Sequence, residues 1–205
     1  MMAELRLEEK EIAALAAADM ELMQAVAAEG CPHCRGPLHR ADFARKPRGG
    51  LLWSSAEGWQ RRFALCCGRR DCRRRQLPPS LRFLGRRVYL EVAVVLASAC
   101  AQAAAAVKEA SRVTGVPVRT LLRWLRFWQE ELPQRGEWAE LKARFAPPPP
   151  AAEELPLSLL DRVAGELGES GGKVLWQVAR LLGPLTTTRV DAARFLRDAR
   201  ASPSG

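Results

Sequence analysis

The chain has 205 residues, of which 48% are apolar, with 15 glycines, 14 prolines and a formal charge of +9 from 32 basic and 23 acidic side chains. That apolar mass suffices for one or two folded domains and excludes a disordered, collagen-like or all-β disulfide chain. The longest apolar run, residues 92–107, is Ala-rich and interrupted by Gln102, short of the roughly 20 residues a bilayer needs. A buried helix is expected there, and no membrane partner.

Residues 3–28 are rich in Ala and Glu and predict an amphipathic helix with Leu5, Ile12, Leu15, Leu22 and Val26 as a partial apolar face. Glu4, Glu8, Glu9 and Glu11 give this end the wrong charge for a targeting peptide, so a cytoplasmic protein is expected. The same acidity argues against contact with a polyanion. The helix is free to pack on the body or on a second copy.

The positive charge is concentrated. Residues 1–30 carry two basic and seven acidic side chains, residues 31–87 carry 15 and three, residues 88–145 carry eight and six, and residues 146–205 carry seven of each. The positive charge of the second segment is almost all arginine, which grips phosphate oxygens with paired hydrogen bonds, so nucleic acid is the leading partner. Arg45, Lys46, Arg48, Arg73, Arg74 and Arg75 are the basic residues expected to meet phosphates.

Five of the six cysteines lie in that segment, at 31, 34, 66, 67 and 72, with the sixth at 100. Two close doublets of thiols are what a tetrahedral zinc ion requires, one pair from each of two tight turns. The first is Cys31-Pro32-His33-Cys34, followed by the turn residues Arg35-Gly36-Pro37. In the second, Cys66-Cys67-Gly68-Arg69-Arg70-Asp71-Cys72, neighbouring side chains on a strand point to opposite faces, so Cys72 pairs with Cys67 or with Cys66. Cys67 is preferred because Gly68 follows it and permits the turn, leaving Cys66 as a small packed side chain. Four thiolates close the coordination sphere, which makes the ion structural and leaves no open position for hydrolysis. His33 is expected to face solvent, and His39 has no partner at ligand spacing.

Between the doublets, residues 38–43 and 59–65 hold short apolar clusters joined by the basic run Arg45-Lys46-Pro47-Arg48-Gly49-Gly50, the pattern of a small antiparallel ribbon completed by metal. Trp53 and Trp59 are either the ribbon's core or stacking surfaces for bases, and core is preferred.

From Arg86 the periodicity becomes helical. Residues 87–101 are apolar nearly all round, with Tyr89 in a packed helix. Residues 103–113 predict a second helix, stopped at Thr114-Gly115, and Val116-Pro117 restarts the chain, Pro117 suiting a first helical position, before a third helix that runs from Val118 to about Glu131. In that helix Leu121, Leu122, Leu125 and Trp128 are expected inward, with Arg119, Arg123 and Arg126 as an exposed stripe. This is a helix-turn-helix pattern. Arg119 and Arg123 are candidates for base edges, and Lys108, Arg112 and Arg126 for phosphates.

Residues 147–150 are four prolines, a stiff linker. Beyond it, residues 155–167, 173–182 and 189–200 predict three short helices whose leucines and valines form a small bundle in preference to a docking face for a transposase or a second copy. Asp161, Glu166, Asp191 and Asp198 have no strand framework to gather them, Tyr89 is the sole tyrosine, and no phosphate-cradling loop or hydrolase serine motif is present. A binding protein is therefore expected rather than an enzyme.

The order Cys-Pro-x-Cys, basic stretch, Cys-x4-Cys, then residues 78–89 (PPSLRFLGRRVY) and 115–124 (GVPVRTLLRW), resembles bacterial proteins associated with insertion sequences, in which a transposase-type zinc ribbon is joined to a helix-turn-helix. The cysteine spacing is also similar to that of Ogr/Delta-type zinc fingers of phage transcription activators, which implies Cys31, Cys34, Cys67 and Cys72 as ligands. The 32 residues between the doublets make a long loop for such a finger. Where related helix-turn-helix families place Ser or Thr before the third helix, this chain has Val116-Pro117, with Thr120 as the nearest hydroxyl. The resemblance implies a bacterial, nucleoid-associated protein that binds duplex DNA in transposon-end recognition or transcription regulation. A divergent or truncated transposase or nuclease, and an RNA-binding zinc ribbon, are the alternatives.

The expected architecture is thus mainly α with a small β zinc ribbon: an N-terminal helix (1–29), zinc ribbon (30–85), helix-turn-helix domain (86–145), Pro-rich linker (146–152) and helical C-terminal segment (153–205), with structural Zn2+ as cofactor.

Overall fold

A computed structural model describes residues 7, 9–44, 59–84, 88–143, 155–168 and 172–182. The fold is mainly helical with small antiparallel sheets. Helix α1 (Glu9–Glu29) is built of Ala, Glu, Leu and Met, all strong helix formers. It stops at Gly30, whose φ of 77° only glycine adopts freely and whose N–H reaches the Ala27 carbonyl at 3.2 Å. Ile12, Leu15, Asp19 and Met23 lie buried along one face. Leu22 and Val26 are half-buried at its margin, and Leu5 lies outside the described residues.

Beyond α1, strands β1 (Leu38–Arg40), β4 (Leu65–Cys67) and β5 (Arg75–Gln76) form an antiparallel sheet in the order β1-β4-β5, with Leu38 opposite Cys67, His39 opposite Cys66 and Cys66 opposite Arg75. A second ladder pairs β2 (Phe43–Ala44) with β3 (Arg61–Arg62), and a third pairs β6 (Phe83–Leu84) with β7 (Val88–Tyr89). Along β4 the alternation of side chains turns Leu65 and Cys67 inward and leaves Cys66 half-exposed.

Helix α2 (Leu90–Gln102) is buried almost all round, as its composition predicts, and packs against helices α3 (Ala104–Thr114) and α4 (Val118–Arg126). Helix α3 ends at Gly115, which has a φ of 68° and donates to the Ser111 carbonyl at 2.9 Å. Helix α4 starts at Val118, where the sequence places the start of the third helix; Pro117 caps it with an extended backbone rather than being its first residue, and its carbonyl accepts from the Thr120 N–H at 2.7 Å. The chain then widens into a π turn (Phe127–Glu131) and a 3-10 turn (Leu132–Gln134) before α5 (Gly136–Lys142). Tyr89 sits on β7 rather than in a helix, stacked between Trp59 at 5.8 Å and Phe83 at 4.9 Å.

Helices α6 (Leu157–Leu167) and α7 (Gly172–Leu182) pack on each other, and α7 also touches α1 and α2. Their Leu159, Leu160, Val163, Leu175, Val178 and Leu182 join the core that holds Ile12, Leu96, Leu121 and Trp128. Helices α6 and α7 thus pack as in the small bundle preferred from sequence, and their apolar faces are covered within the chain. The helix expected over residues 189–200 and the proline run lie outside the described residues.

A second, smaller core holds Met23, Cys31, Leu38, Phe63, Leu65 and Cys67, with Met20, Val26 and Ala27 of α1 against it. Helix α1 therefore spans both cores. Asp19 ties it to the chain before β6, accepting hydrogen bonds from the Ser80 hydroxyl (2.6 Å), the Leu81 N–H (2.6 Å) and Arg82 Nε (2.8 Å). Arg82 also donates to the carbonyls of Trp59 (3.2 Å) and Arg61 (3.1 Å), and Arg62 donates to that of Pro78 (2.6 Å).

Candidate metal centre and its basic surroundings

Gly30 ends α1 and delivers Cys31 straight into a tight turn. The Cys31 N–H donates to the Gly36 carbonyl at 2.9 Å, and the Arg35 N–H returns to the Cys31 carbonyl at 2.6 Å. The second turn leaves the end of β4. Its Cys67 N–H donates to the Arg74 carbonyl at 3.0 Å, and the Cys72 and Arg73 N–H groups donate to that of Arg69 at 3.2 and 3.1 Å. One bond joins the two turns directly, from the Gly68 N–H to the Pro37 carbonyl at 2.9 Å. A Cβ on Gly68 would lie 2.5 Å from Nε2 of the exposed His39 ring, which glycine allows to lie across the turn and a larger residue would push aside.

The turns bring the sulfurs of Cys31, Cys34, Cys67 and Cys72 within 4.8 Å of one another, an arrangement that could hold a metal ion. The shortest separations run between the doublets: Cys34 to Cys67 at 3.4 Å and Cys31 to Cys72 at 3.7 Å. Cys66 stands apart on the other face of β4, its thiol directed at the Arg73 carbonyl (3.5 Å). Cys100 is buried in α2, where burial pushes its thiol up. Among the described residues no other His, Cys, Asp and Glu side chains gather in this way. Of the acids considered from sequence, Asp161 and Glu166 are exposed on α6, the latter 3.1 Å from Arg162, while Asp191 and Asp198 lie outside the described residues.

The four thiols differ in how readily they ionise. Burial acts to raise Cys31, but hydrogen bonds from the His33 and Cys34 backbone and from Cys72 and Cys34 outweigh it and bring the thiol down to about 7. Cys34 and Cys72 accept from the backbone of Gly36 and Arg74, which lowers them, yet burial and the neighbouring sulfurs leave both above the ordinary thiol value. Burial comes first for Cys67 and pushes it up as well. One thiolate is therefore formed easily and the other three await a cation, because like charges this close repel.

Arginines surround the cluster. Arg35, Arg69, Arg70, Arg73, Arg74 and Arg75 are all exposed. Arg69 lies across Gly36 and reaches the Cys34 carbonyl at 3.5 Å, and Arg74 approaches the exposed His33 ring at 3.1 Å. Arg35 and Arg73, the residues directly after Cys34 and Cys72, have φ values of 54° and 44°. Neither Arg35 nor Arg69 stood out in sequence, although their place beside and between the cysteines was a usable signal. Arg45, Lys46, Arg48 and Trp53 lie outside the described residues. Trp59 is buried rather than on a stacking surface, but in the large core and not in the cysteine-bearing one where the sequence placed it.

Not all of the segment's positive charge reaches the surface. Arg62 and Arg82 are fully buried, against the sequence reading that counted every arginine of residues 31–87 toward an exposed field. Their signal lay in the apolar residues around them, Trp59, Phe63 and Phe83, whose rings Arg82 faces at 5.4, 4.9 and 5.3 Å.

On α4, Arg119, Arg123 and Arg126 are exposed as expected, and Thr120, Leu121 and Trp124 are buried. Thr120 is therefore turned away from any phosphate. Leu122 is 49% exposed, where the sequence reading turned it inward; at 3.6 residues per turn it falls beside Val118 on the outer face. Lys108 and Arg112 are exposed on α3, Arg112 engaged by Glu109 at 2.6 Å, and Arg126 lies 3.5 Å from Glu130. Arg119 and Arg123 make no ion pair among the described residues. No helix among the described residues is long and apolar enough to cross a membrane.

No protein-family profile matches the chain, and no curated protein or solved structure matches it significantly.

Proposed function

We propose that this chain is a zinc-stabilised DNA-binding protein, a zinc ribbon joined to a helix-turn-helix formed by α2, α3 and α4. The observation that carries this reading is the four-cysteine cluster ringed by exposed arginines. A tetrahedral ion with metal–sulfur bonds of about 2.3 Å needs sulfurs about 3.8 Å apart, close to the separations between the doublets. Four soft thiolates select zinc over magnesium or calcium, and a four-sulfur set leaves no position for a reacting water. The ion's contribution is structural: it would hold together turns whose own apolar core is small.

Arg35 and Arg73, beside two of the cluster's cysteines, are exposed and occupy left-handed conformations in which glycine is less strained. On α4, Arg119 and Arg123 are free to reach a groove, whereas Arg112 and Arg126 have acidic neighbours to give up first. Duplex DNA is favoured over RNA because a helix presenting arginines fits a wide major groove, which A-form RNA lacks. Action at a mobile element, on its ends or its transcription, is the biological role in keeping with the motif order.

The test is direct. Reduced, freshly purified protein is analysed for metal and then titrated onto a labelled duplex and an equal-length structured RNA at about 50 and 200 mM salt. The expected outcome is one zinc per chain and tighter binding to the duplex. Affinity should fall about a hundredfold across that salt range if four phosphates are engaged. Absence of zinc, or of duplex binding at low salt, overturns the proposal.

A further inference from the structure

The outer face of α4 is not simply basic. At about 100° per residue, Val118, Leu122, Arg126, Arg119 and Arg123 fall in that order across an arc of about 140°. The opposite arc, with Thr120, Leu121, Trp124 and Trp128, is buried. Val118 is 38% and Leu122 49% exposed, and they are two of the three large aliphatic side chains, with Val113 at 58%, that stand out from the described surface. Single exposed apolar side chains are ordinary, but Val118 and Leu122 lie one turn apart and adjoin on the same edge of α4. Two of them beside two unpaired guanidinium groups form a bipartite surface, apolar on one edge and bidentate donor on the other.

In the major groove, guanine offers two acceptors that suit arginine, and thymine offers the C5-methyl, the one apolar group on any base edge. Resting on the DNA-binding reading above, we infer that Val118 and Leu122 are specificity-determining residues that pack on thymine methyl groups beside guanines held by Arg119 and Arg123. The ligand class is a duplex site in which thymine and guanine lie close together. The charge argues against an apolar protein face as the occupant, because it would leave the guanidinium groups of Arg119 and Arg123 buried and unpaired, whereas base edges supply both acceptors and methyl groups.

The experiment selects tight-binding duplexes from a random library, then resynthesises the best site with deoxyuridine in place of thymine, which removes only the methyl groups. Wild-type protein should bind the uracil duplex about four- to sixteenfold more weakly, one or two buried methyls each contributing about fourfold. Leu122→Ala should show a smaller thymine preference than wild type, and the double variant Val118→Ala, Leu122→Ala should bind the two duplexes nearly equally, both retaining zinc and thermal midpoint, since neither side chain belongs to the core. Selected sites without thymine, equal wild-type binding to both duplexes, or an undiminished thymine preference in Leu122→Ala would each overturn the inference and leave DNA binding intact. Failure to select any duplex would instead overturn the DNA-binding reading itself.

Discussion

Asp19 Oδ2 accepts a hydrogen bond from Arg82 Nε at 2.8 Å, and both side chains are closed off from solvent. The pair joins the middle of α1, between its contacts with the large core and those with the cysteine-bearing core, to the start of β6. Arg62 is buried close by, and that burial, with Arg82 adding to it against the pull of Asp19, brings its guanidinium down to about 10. Both cations feel the Asp19 carboxylate, which also accepts from Ser80 and the Leu81 N–H, so breaking this buried pair by Asp19→Ala should cost about 3–5 kcal/mol of stability. Urea denaturation of zinc-loaded protein measures this, and a loss below about 1 kcal/mol would contradict the role assigned to the pair.

The two adjacent cysteines of β4 should behave oppositely. Cys67→Ser should abolish tight metal binding and loosen the sheet, because Cys67 faces the other three sulfurs. Cys66→Ser should keep one ion per chain, its thiol pointing at a carbonyl on the far face. Metal stoichiometry on the two purified variants distinguishes them; the reverse pattern would mean that β4 is displaced by one residue.

Metal uptake should be steeply pH-dependent, with a sign that follows from the thiols. Bound metal needs thiolates, so every thiol protonated beforehand must release its proton. Cys31 ionises near 7 and Cys34, Cys67 and Cys72 above the ordinary thiol value. At about pH 8 zinc should therefore displace about three protons, and affinity should weaken as pH falls, more steeply still below 7. Calorimetric titration in buffers of different ionisation enthalpy counts these protons, and release of one or none would contradict the assignment.

Replacing a left-handed arginine by glycine should separate strain from function. Arg73→Gly relieves a backbone cost of about 1–2 kcal/mol and should raise the thermal midpoint with zinc retained. It should also weaken binding to all duplexes alike and reduce the salt slope by about one, as expected for a lost phosphate contact. Arg123→Ala, by contrast, should relax sequence preference. Equal loss on selected and random duplexes at Arg123 would remove the recognition role from α4.

The features legible in the sequence were those set by near neighbours in the chain. Helix α3 ends at Gly115 because glycine alone takes that φ freely, and α2 reads as buried because its residues are apolar all round. The preference for Cys67 over Cys66 came from alternation on a strand together with the glycine that follows. What the chain order could not reveal was which charged and apolar residues would find partners far away. Asp19 looks like one more surface acid of α1 until Ser80, Leu81 and Arg82 close over it from more than sixty residues away. Arg62 and Arg82 count toward a basic surface until aromatic rings enclose them. Leu122 passes for a core leucine until Leu121 and Trp124 take the inner face of α4. Local backbone preference and periodicity act within a turn or a strand and are written in a few residues; burial depends on which distant segments meet, and only the assembled tertiary structure decides that.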